Sequence, residues 1–304
     1  MTIVPYLLGF DPADSIVIIA LEGPRQRFGP CARIDLVDSA DKDGAPGRTA
    51  AYLGALAELH GFDPVILIAY SDRAAVADPV MRAVLDRLGN DGVRVSDAVR
   101  ADGERWWSYV CSDPGCCPTT GVPYDAQASE VAAEAVLAGL SRAPSRESLR
   151  AQFTPDGARQ DAFDAATTVT LPPVLDIAAL SERVFEGLSD PAALEPMDQV
   201  ALVHAVQEVH KRDAVWAMMT RDNAPDHYAL WLHLLRATPD ELMAPVGGLT
   251  AFAAWLSGRG VLASHAAERV LDVHPSYSMA VLLLDACEAS INPSIWDRVR
   301  EQLA

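Results

Sequence analysis

The chain has 304 residues, of which half are apolar and 22% are charged, and its formal net charge is −18 at pH 7. This length exceeds the usual size of one domain, so two domains, each with a substantial core, are expected. The negative charge argues against a nucleic-acid backbone or an anionic membrane as the main partner, because both require Lys and Arg on the contacting surface.

The N-terminal segment is predicted not to be a targeting signal. It reads MTIVPYLLGFDPADS and lacks both the basic start and the uninterrupted apolar stretch of a signal peptide. No apolar run reaches the length that a membrane-spanning helix needs. A cytoplasmic location without a membrane partner is therefore expected, and an odd number of cysteines, five, fits reduced thiols better than a disulfide framework.

The first part of the chain alternates between strand and helix patterns. Short apolar runs rich in β-branched residues predict buried strands, and period-two alternation predicts strands with one exposed face. The predicted elements are strands at 15–21 and 31–37, a helix at 47–60, a strand at 64–70, a helix at 73–88, and strands at 93–99 and 104–110. This order predicts an α/β domain with a mixed sheet over residues 1–140.

The rest of the chain has helical spacing. Asp125 is the expected N-cap of a helix that begins near Ala126. Residues 141–171 are polar and interrupted by prolines, and they predict a connector that contains a short helix. From residue 172 to 304, glycines and prolines separate segments of helical periodicity, which predicts an all-α domain. These helices are predicted at 175–188, 191–210, 212–219, 225–235, 247–257, 261–273, 276–289 and 293–303.

Residues 247–289 partly match a tetratricopeptide (TPR)-like helical hairpin. Ala263 and Ala267 suit a close helix crossing, and Pro275 begins the next helix. Gly247 stands where such a repeat often carries tryptophan. The pattern predicts a small array of helical hairpins.

The segment ERWWSYVCSDPGCCPTTGVPYD contains three of the five cysteines, Cys111, Cys116 and Cys117. Zinc could use two or three of these thiolates, although the paired C-x2-C spacing of strong zinc motifs is missing. Cys111 could instead form a disulfide with either neighbour, or Cys117 could be a catalytic nucleophile near a helix N-terminus. A packed corner beneath Trp106 or Trp107 is the favoured interpretation, because free cysteines usually behave as small apolar residues. No cofactor is predicted, and structural zinc is the minority alternative.

The residues around the cysteines suggest a pocket. Arg105, Trp107, Tyr109 and Cys111 would share one face of a strand. If Arg33 and Asp35 lie on a neighbouring strand, the combined set could bind an anion or a carboxylate-bearing ligand. An ion pair of Asp35 with Arg33 or Arg105, beside stacked aromatic rings, is the favoured alternative.

Several segments resemble one protein family. They are VPYLLGFDPADSIVIIAL, ARIDL, RWWSYVCSDPGCCP, SRESL and AAWLSGRG…DVHPSYSMAVLL, which span Val4 to about Trp296. Together they are similar to the DUF4192 proteins of actinobacteria. The resemblance implies a bacterial, cytoplasmic protein and no particular reaction. The abundance of arginine over lysine and the many alanines agree with a GC-rich genome.

Two functions are predicted from these observations. The favoured one is an interaction module, in which a groove of the helical domain binds a protein or peptide. It requires an exposed apolar groove beside the hairpin at residues 247–289. The alternative is a small-molecule-binding enzyme or sensor that uses the Arg33, Asp35, Arg105, Trp107 and Cys117 corner of the α/β domain. Nucleic acid is the least favoured partner.

Overall fold

A computed structural model describes residues 1–36, 44–125, 129–137, 142–169 and 171–303. The chain divides into two compact units, Met1–Arg146 and Glu147–Ala304. The first unit combines helices with a mixed sheet, and the second is helical in all its described elements, so the predicted fold class is confirmed. The division falls inside the segment that the sequence predicts as a connector.

The α/β unit is built on one mixed sheet. Its described strands are β1 (Ser15–Glu22), β2 (Arg27–Asp35), β3 (Val65–Tyr70), β4 (Val95–Ala101), β5 (Arg105–Ser108) and β6 (Val122–Pro123). Their order across the sheet is β2-β1-β3-β4-β5-β6. β3 and β4 are parallel and the other neighbours are antiparallel. The two apolar runs predicted as buried strands are confirmed as β1 and β3, and every residue of β1 except Glu22 is buried.

Helices lie on both faces of this sheet. They are α1 (Val4–Leu8), α2 (Ala45–His60), α3 (Ala74–Asn90) and α4 (Glu130–Leu137). α2 and α3 cover the face that carries Ile16, Ile18 and Leu67, where their apolar sides form one core. α1 was not predicted, because its five residues are too few to show a helical period. The predicted helix start at Ala126 and the predicted strand end at Val37 lie outside the described residues.

The helical unit consists of short helices joined by tight turns. Together with α5, which begins at the boundary, its helices are α5 (Arg146–Arg150), α6 (Gly157–Val169), α7 (Ile177–Ser189), α8 (Pro196–Ala205), α9 (Val209–Met218), α10 (Ala224–Ala237), α11 (Met243–Leu256), α12 (Gly260–Val273), α13 (Ser278–Glu288) and α14 (Ile295–Leu303). The single helix predicted at 191–210 is wrong: a 3-10 turn at Pro191–Ala193 precedes α8, and α9 is a separate helix. α6, of 13 residues, lies within the predicted connector, and so does α5.

The centre of the helical unit is α11, whose residues are all buried. α10 and α12 pack against it, and Ala263 and Ala267 of α12 are fully buried at this contact. Gly247 allows the approach, since a Cβ atom there would lie 2.3 Å from Cγ2 of Val270. The predicted close crossing is therefore present, while the TPR-like assignment stays a prediction. Among the described residues, no helix combines the length and the apolar composition needed to span a membrane.

Candidate functional site

The three cysteines of the predicted site lie together on the loop that joins β5 to β6. The sulfur atoms of Cys111, Cys116 and Cys117 all lie within 4.8 Å of one another. The Sγ atoms of Cys116 and Cys117 are 3.8 Å apart. Cys116 is exposed and the other two are half-buried. We call this group the cysteine cluster; it is open to solvent on the side of Cys116.

Local hydrogen bonds give the loop its shape. The Ser108 hydroxyl accepts the N–H of Cys111 at 2.9 Å, which turns the chain at the end of β5. The carbonyl oxygen of Asp113 accepts the N–H groups of Cys116 and Cys117, at 3.1 and 2.7 Å. The carboxylate of Asp113 accepts the N–H of Gly115 at 2.9 Å. The turn at residues 113–117 therefore folds the chain back and carries two of the thiols to the third.

Two residues of the predicted site hold the far end of the loop against the sheet. The indole N–H of Trp107 donates to the carbonyl of Thr119 at 3.1 Å. The guanidinium of Arg105 donates to the carbonyl of Gly121 at 3.0 Å. Arg105 and Trp107 thus support the cysteine cluster from β5, and their hydrogen-bonding groups are directed to the loop backbone.

The thiols of the cluster differ in acidity. The backbone N–H of Asp113 and then the thiol of Cys117 donate to Cys111, and these contacts lower the pKa of Cys111. The hydrogen bond from the Cys117 thiol to Cys111 has the opposite effect on its donor. Together with burial, it raises the pKa of Cys117 to about 12. Of these two thiols, Cys111 therefore loses its proton first. This geometry favours Cys111 over the predicted Cys117 as a thiolate, because hydrogen bonds to the charged form stabilise it.

Arg33 and Asp35 do not join this corner. They lie on β2, at the opposite edge of the sheet from β6, and β1, β3 and β4 separate β2 from β5. With strands about 4.8 Å apart, β2 and β5 are roughly 19 Å apart. Arg33 instead pairs with Asp35 on its own strand, at 2.6 Å. The predicted pocket that combines these residues with Arg105 and Trp107 is therefore wrong, whereas the Arg33–Asp35 ion pair is present.

Tyr109 belongs to a second polar group, which sequence reasoning missed. Its hydroxyl donates to Oδ1 of Asp78 on α3 at 2.6 Å. Arg100 of β4 is 8% exposed, and its guanidinium carbon lies 3.9 Å from the ring centre of Trp107. The same guanidinium donates to the carbonyl of Ser71 at 3.1 Å. Each of these side chains has a partner, so the group connects α3 to β4 and β5 rather than forming an open site. The available signal was an arginine between two apolar residues, Val99 and Ala101, directly after the predicted strand at 93–99.

The cysteine cluster has the donor set and spacing of a metal site. Zinc binds thiolates at about 2.3 Å, and in a tetrahedron this bond length places neighbouring sulfurs about 3.8 Å apart. The Cys116–Cys117 distance of 3.8 Å agrees with that value. Among the described residues, no other group of three or more His, Cys, Asp or Glu side chains has such spacing. The cluster would supply three ligands and leave the fourth position open.

The helical hairpin, the other predicted site, lacks a groove along its first helix because α11 is buried throughout. The exposed apolar residues lie on α13, where Val281 is 39% and Leu282 is 64% exposed. Asp285, also exposed, stands three residues after Leu282 and so shares this side of the helix. The outer side of α13 is thus apolar with an acidic border.

Comparison with known proteins places the chain in one family. No curated protein and no solved structure matches it. The model of the family described as "Domain of unknown function (DUF4192)" matches residues 1–294. This match covers both units and includes the cysteine cluster; the chain therefore belongs to the DUF4192 family.

Proposed function

We propose that the α/β unit binds a thiophilic metal ion, Zn²⁺ in the first place, through Cys111, Cys116 and Cys117. The observation that carries the proposal is the convergence of three sulfur atoms within 4.8 Å on one short loop. Thiolate ligands select soft or borderline ions over Mg²⁺ and Ca²⁺. The separation of 3.8 Å between two of the sulfurs is far longer than a disulfide bond of about 2.05 Å and suits two ligands of one ion.

The site would be an exchangeable one. Structural zinc sites use four protein ligands, whereas sites with three keep a position for water or another molecule. Cys116 is exposed, so the fourth position would face solvent. Three thiolates also donate enough negative charge to make the ion a weak Lewis acid. We therefore favour metal sensing or exchange over hydrolytic catalysis.

Binding would be coupled to proton release. The Cys111 thiolate, stabilised by the N–H of Asp113, would be the first ligand. Cys117 would lose its proton to the ion, because its raised pKa keeps it protonated at neutral pH. Metals bind the deprotonated form, so affinity would increase with pH.

A competition titration tests the proposal. Reduced protein is titrated with Zn²⁺ against a chromophoric chelator, and the bound metal is counted by mass spectrometry under native conditions. One ion per chain is expected. Cys111→Ser, Cys116→Ser and Cys117→Ser should each lose more affinity than the roughly 10–100-fold that an outer-shell change costs.

Cys31 and Cys287 supply the matched control, because both are half-buried and lie outside the cluster. Cys31→Ser/Cys287→Ser should bind Zn²⁺ as the unchanged protein does. The metal site would be refuted if this control lost as much Zn²⁺ affinity as the cluster variants. It would also be refuted if the protein bound less than one ion per chain at saturation. A stable disulfide within the cluster under reducing conditions would favour the redox alternative.

A second candidate function, the interaction module, is supported by the outer side of α13. Val281 and Leu282 form an exposed apolar pair, and Asp285 borders it. A partner with an apolar anchor and basic neighbours would complement this surface.

Quantitative affinity purification from the host tests this second candidate. It compares the unchanged protein with Leu282→Asp and with Val209→Asp, since Val209 is 60% exposed on another helix. Selective loss of one stoichiometric protein in Leu282→Asp, followed by direct binding of the two purified proteins, would support the module. If the unchanged protein and both variants recovered the same proteins in equal amounts, the outer side of α13 would be excluded as a binding surface.

A further inference from the structure

A cavity of about 150 Å³ lies on the face of the α/β sheet opposite to α2 and α3. The register of strands β1, β3 and β4 shows that the side chains which these strands contribute to the cavity lie on one side of the sheet. Ile19 pairs with Ile66 across β1 and β3, and Ile68 pairs with Val99 across β3 and β4. Because paired residues point to the same face, these four side chains are directed into one space.

The floor of the cavity is apolar, and the cavity opens to solvent at its rim. Val4 of α1, Ile19, Ile68 and Val99 are at most 4% exposed. An enclosed apolar cavity of about 150 Å³ accepts a molecule the size of benzene. The cavity as a whole therefore has the volume for a single ring, and its floor has the apolar chemistry.

The rim carries aromatic and acidic groups. Trp106 of β5 and Phe28 of β2 line the cavity, and Phe28 is 51% exposed. Asp97 is the acidic residue of the lining, and its carboxylate accepts the N–H of Ala98 at 2.8 Å, which fixes its position. Met1 also lines the cavity; burial lowers the pKa of its N-terminal amino group and so favours the neutral form, while attraction to Asp97 opposes this shift. A carboxylate beside an indole ring attracts a cationic or hydrogen-bond-donating group. The net charge of −18 further disfavours an anion.

We propose that this cavity binds a single-ring apolar molecule that carries an amine, with the ring on the aliphatic floor and the amine at Asp97. A few convergent polar groups at the edge of an apolar pocket are the usual form of a small-molecule site. The cavity and the cysteine cluster are separate sites, and this inference does not depend on metal binding.

The test uses three probes of nearly equal size: benzylamine, benzyl alcohol and benzoate. The full chain, labelled with ¹⁵N, is titrated with each probe and followed by NMR. Benzylamine should bind with saturable shifts at Ile66, Ile68, Val99 and the Trp106 indole. The affinity for benzylamine should exceed that for benzyl alcohol by roughly two- to fivefold, which is the gain in affinity expected from one exposed ion pair. Benzoate should bind most weakly.

Two variants separate the ring from the amine. Asp97→Asn should keep benzyl alcohol binding and remove the preference for benzylamine, while Asp86→Asn, an exposed carboxylate on α3, should change neither. Ile66→Phe adds a ring to the half-buried lining and should abolish binding of both probes.

The proposal is overturned if neither benzylamine nor benzyl alcohol gives saturable shifts at millimolar concentration. It is also overturned if the shifts map to another face. If Ile66→Phe does not fold, the Asp97→Asn variant still tests the proposal. An unchanged preference of this variant for benzylamine would show that the Asp97 carboxylate does not bind the amine.

Discussion

Gly121 lies against the indole of Trp107 so closely that a Cβ atom at residue 121 would be 2.6 Å from Cε2 of the ring. The backbone of Gly121 has φ of +77°, in the left-handed region that favours glycine. Its carbonyl also accepts the guanidinium of Arg105. One residue thus holds the loop of the cysteine cluster on two side chains of β5.

Gly121→Ala should destabilise the α/β unit and weaken metal binding. Gly92 supplies the control, because its φ is +75° and a Cβ atom added there would have no atom of the described residues within 4 Å. Gly92→Ala should lower the free energy of unfolding by about 1 kcal/mol, the cost of a left-handed alanine. Gly121→Ala should cost at least about 1 kcal/mol more, because the ring must move.

Urea unfolding and zinc competition check this prediction together. Displacement of Trp107 would loosen its hydrogen bond to Thr119, so Zn²⁺ affinity should fall roughly tenfold, as for other changes just outside a ligand shell. Identical unfolding midpoints for the two alanine variants would contradict the close Gly121–Trp107 contact.

The affinity of the cysteine cluster for Zn²⁺ should rise with pH. Hydrogen bonding to Cys111 raises the pKa of Cys117 to about 12, so its thiol keeps its proton at neutral pH and must release it to the metal. Each proton displaced makes the apparent affinity rise about tenfold per pH unit, and at least one is expected between pH 6 and 8.

Competition titrations at several pH values, corrected for the chelator's own protonation, give this slope. Cys117→Ser should reduce the slope by about one proton as well as weakening binding. A flat profile for the unchanged protein, or the same slope in Cys117→Ser, would remove Cys117 from the ligand set.

His227 should make the helical unit sensitive to mild acid. It is fully buried in α10, and burial lowers its pKa to about 4 from the ordinary 6.5. Its Nδ1 atom accepts the indole N–H of Trp231, and its Nε2 atom has no hydrogen-bond partner among the described residues.

Because the folded-state pKa of His227 is depressed, the unfolded chain binds a proton first as the pH falls. Stability should therefore be full above pH 6.5 and fall between pH 6.5 and 4, by up to about 3 kcal/mol. His227→Gln should flatten this part of the stability–pH curve, measured by chemical unfolding of the helical unit's tryptophans. His210→Gln, at an exposed site, should leave the curve unchanged.

Gly247→Ala should destabilise the helical unit although alanine favours helices. The new methyl group would lie 2.3 Å from Cγ2 of Val270, so α11 and α12 would have to separate. Overpacking of this kind costs about 1–3 kcal/mol, which exceeds the roughly 1 kcal/mol that alanine contributes in a helix.

Gly89→Ala provides the matched comparison for this change. Gly89 lies in α3, and in the described part of the chain no atom is within 4 Å of the added carbon, so alanine there should be neutral or stabilise by up to about 1 kcal/mol. Thermal melting of both variants checks the prediction. A higher melting temperature for Gly247→Ala would show that the helix crossing is loose.

Local sequence patterns were sufficient to predict many of the strands and helices of this protein. The β-branched runs of β1 and β3, the helical period after residue 172 and the glycines that end helices all act within a few residues. The closeness of the three thiols also has a local cause, because the Asp113 carbonyl and carboxylate fold the loop back within five residues. Sequence alone therefore determined the fold class of each unit and located the cysteine cluster.

Tertiary pairing decided the rest, because strand order and side-chain acidity depend on residues far apart in the chain. Arg33 and Asp35 alternate on a strand as predicted, but among the described strands β2 pairs with β1 alone and forms the edge opposite to β6. Cys111 is more acidic than Cys117 because the Cys117 thiol donates a hydrogen bond to Cys111. The spacing of the cysteines in the sequence does not contain this information. The cavity beneath Trp106 exists only because five strands and α1 meet there, which no single segment encodes.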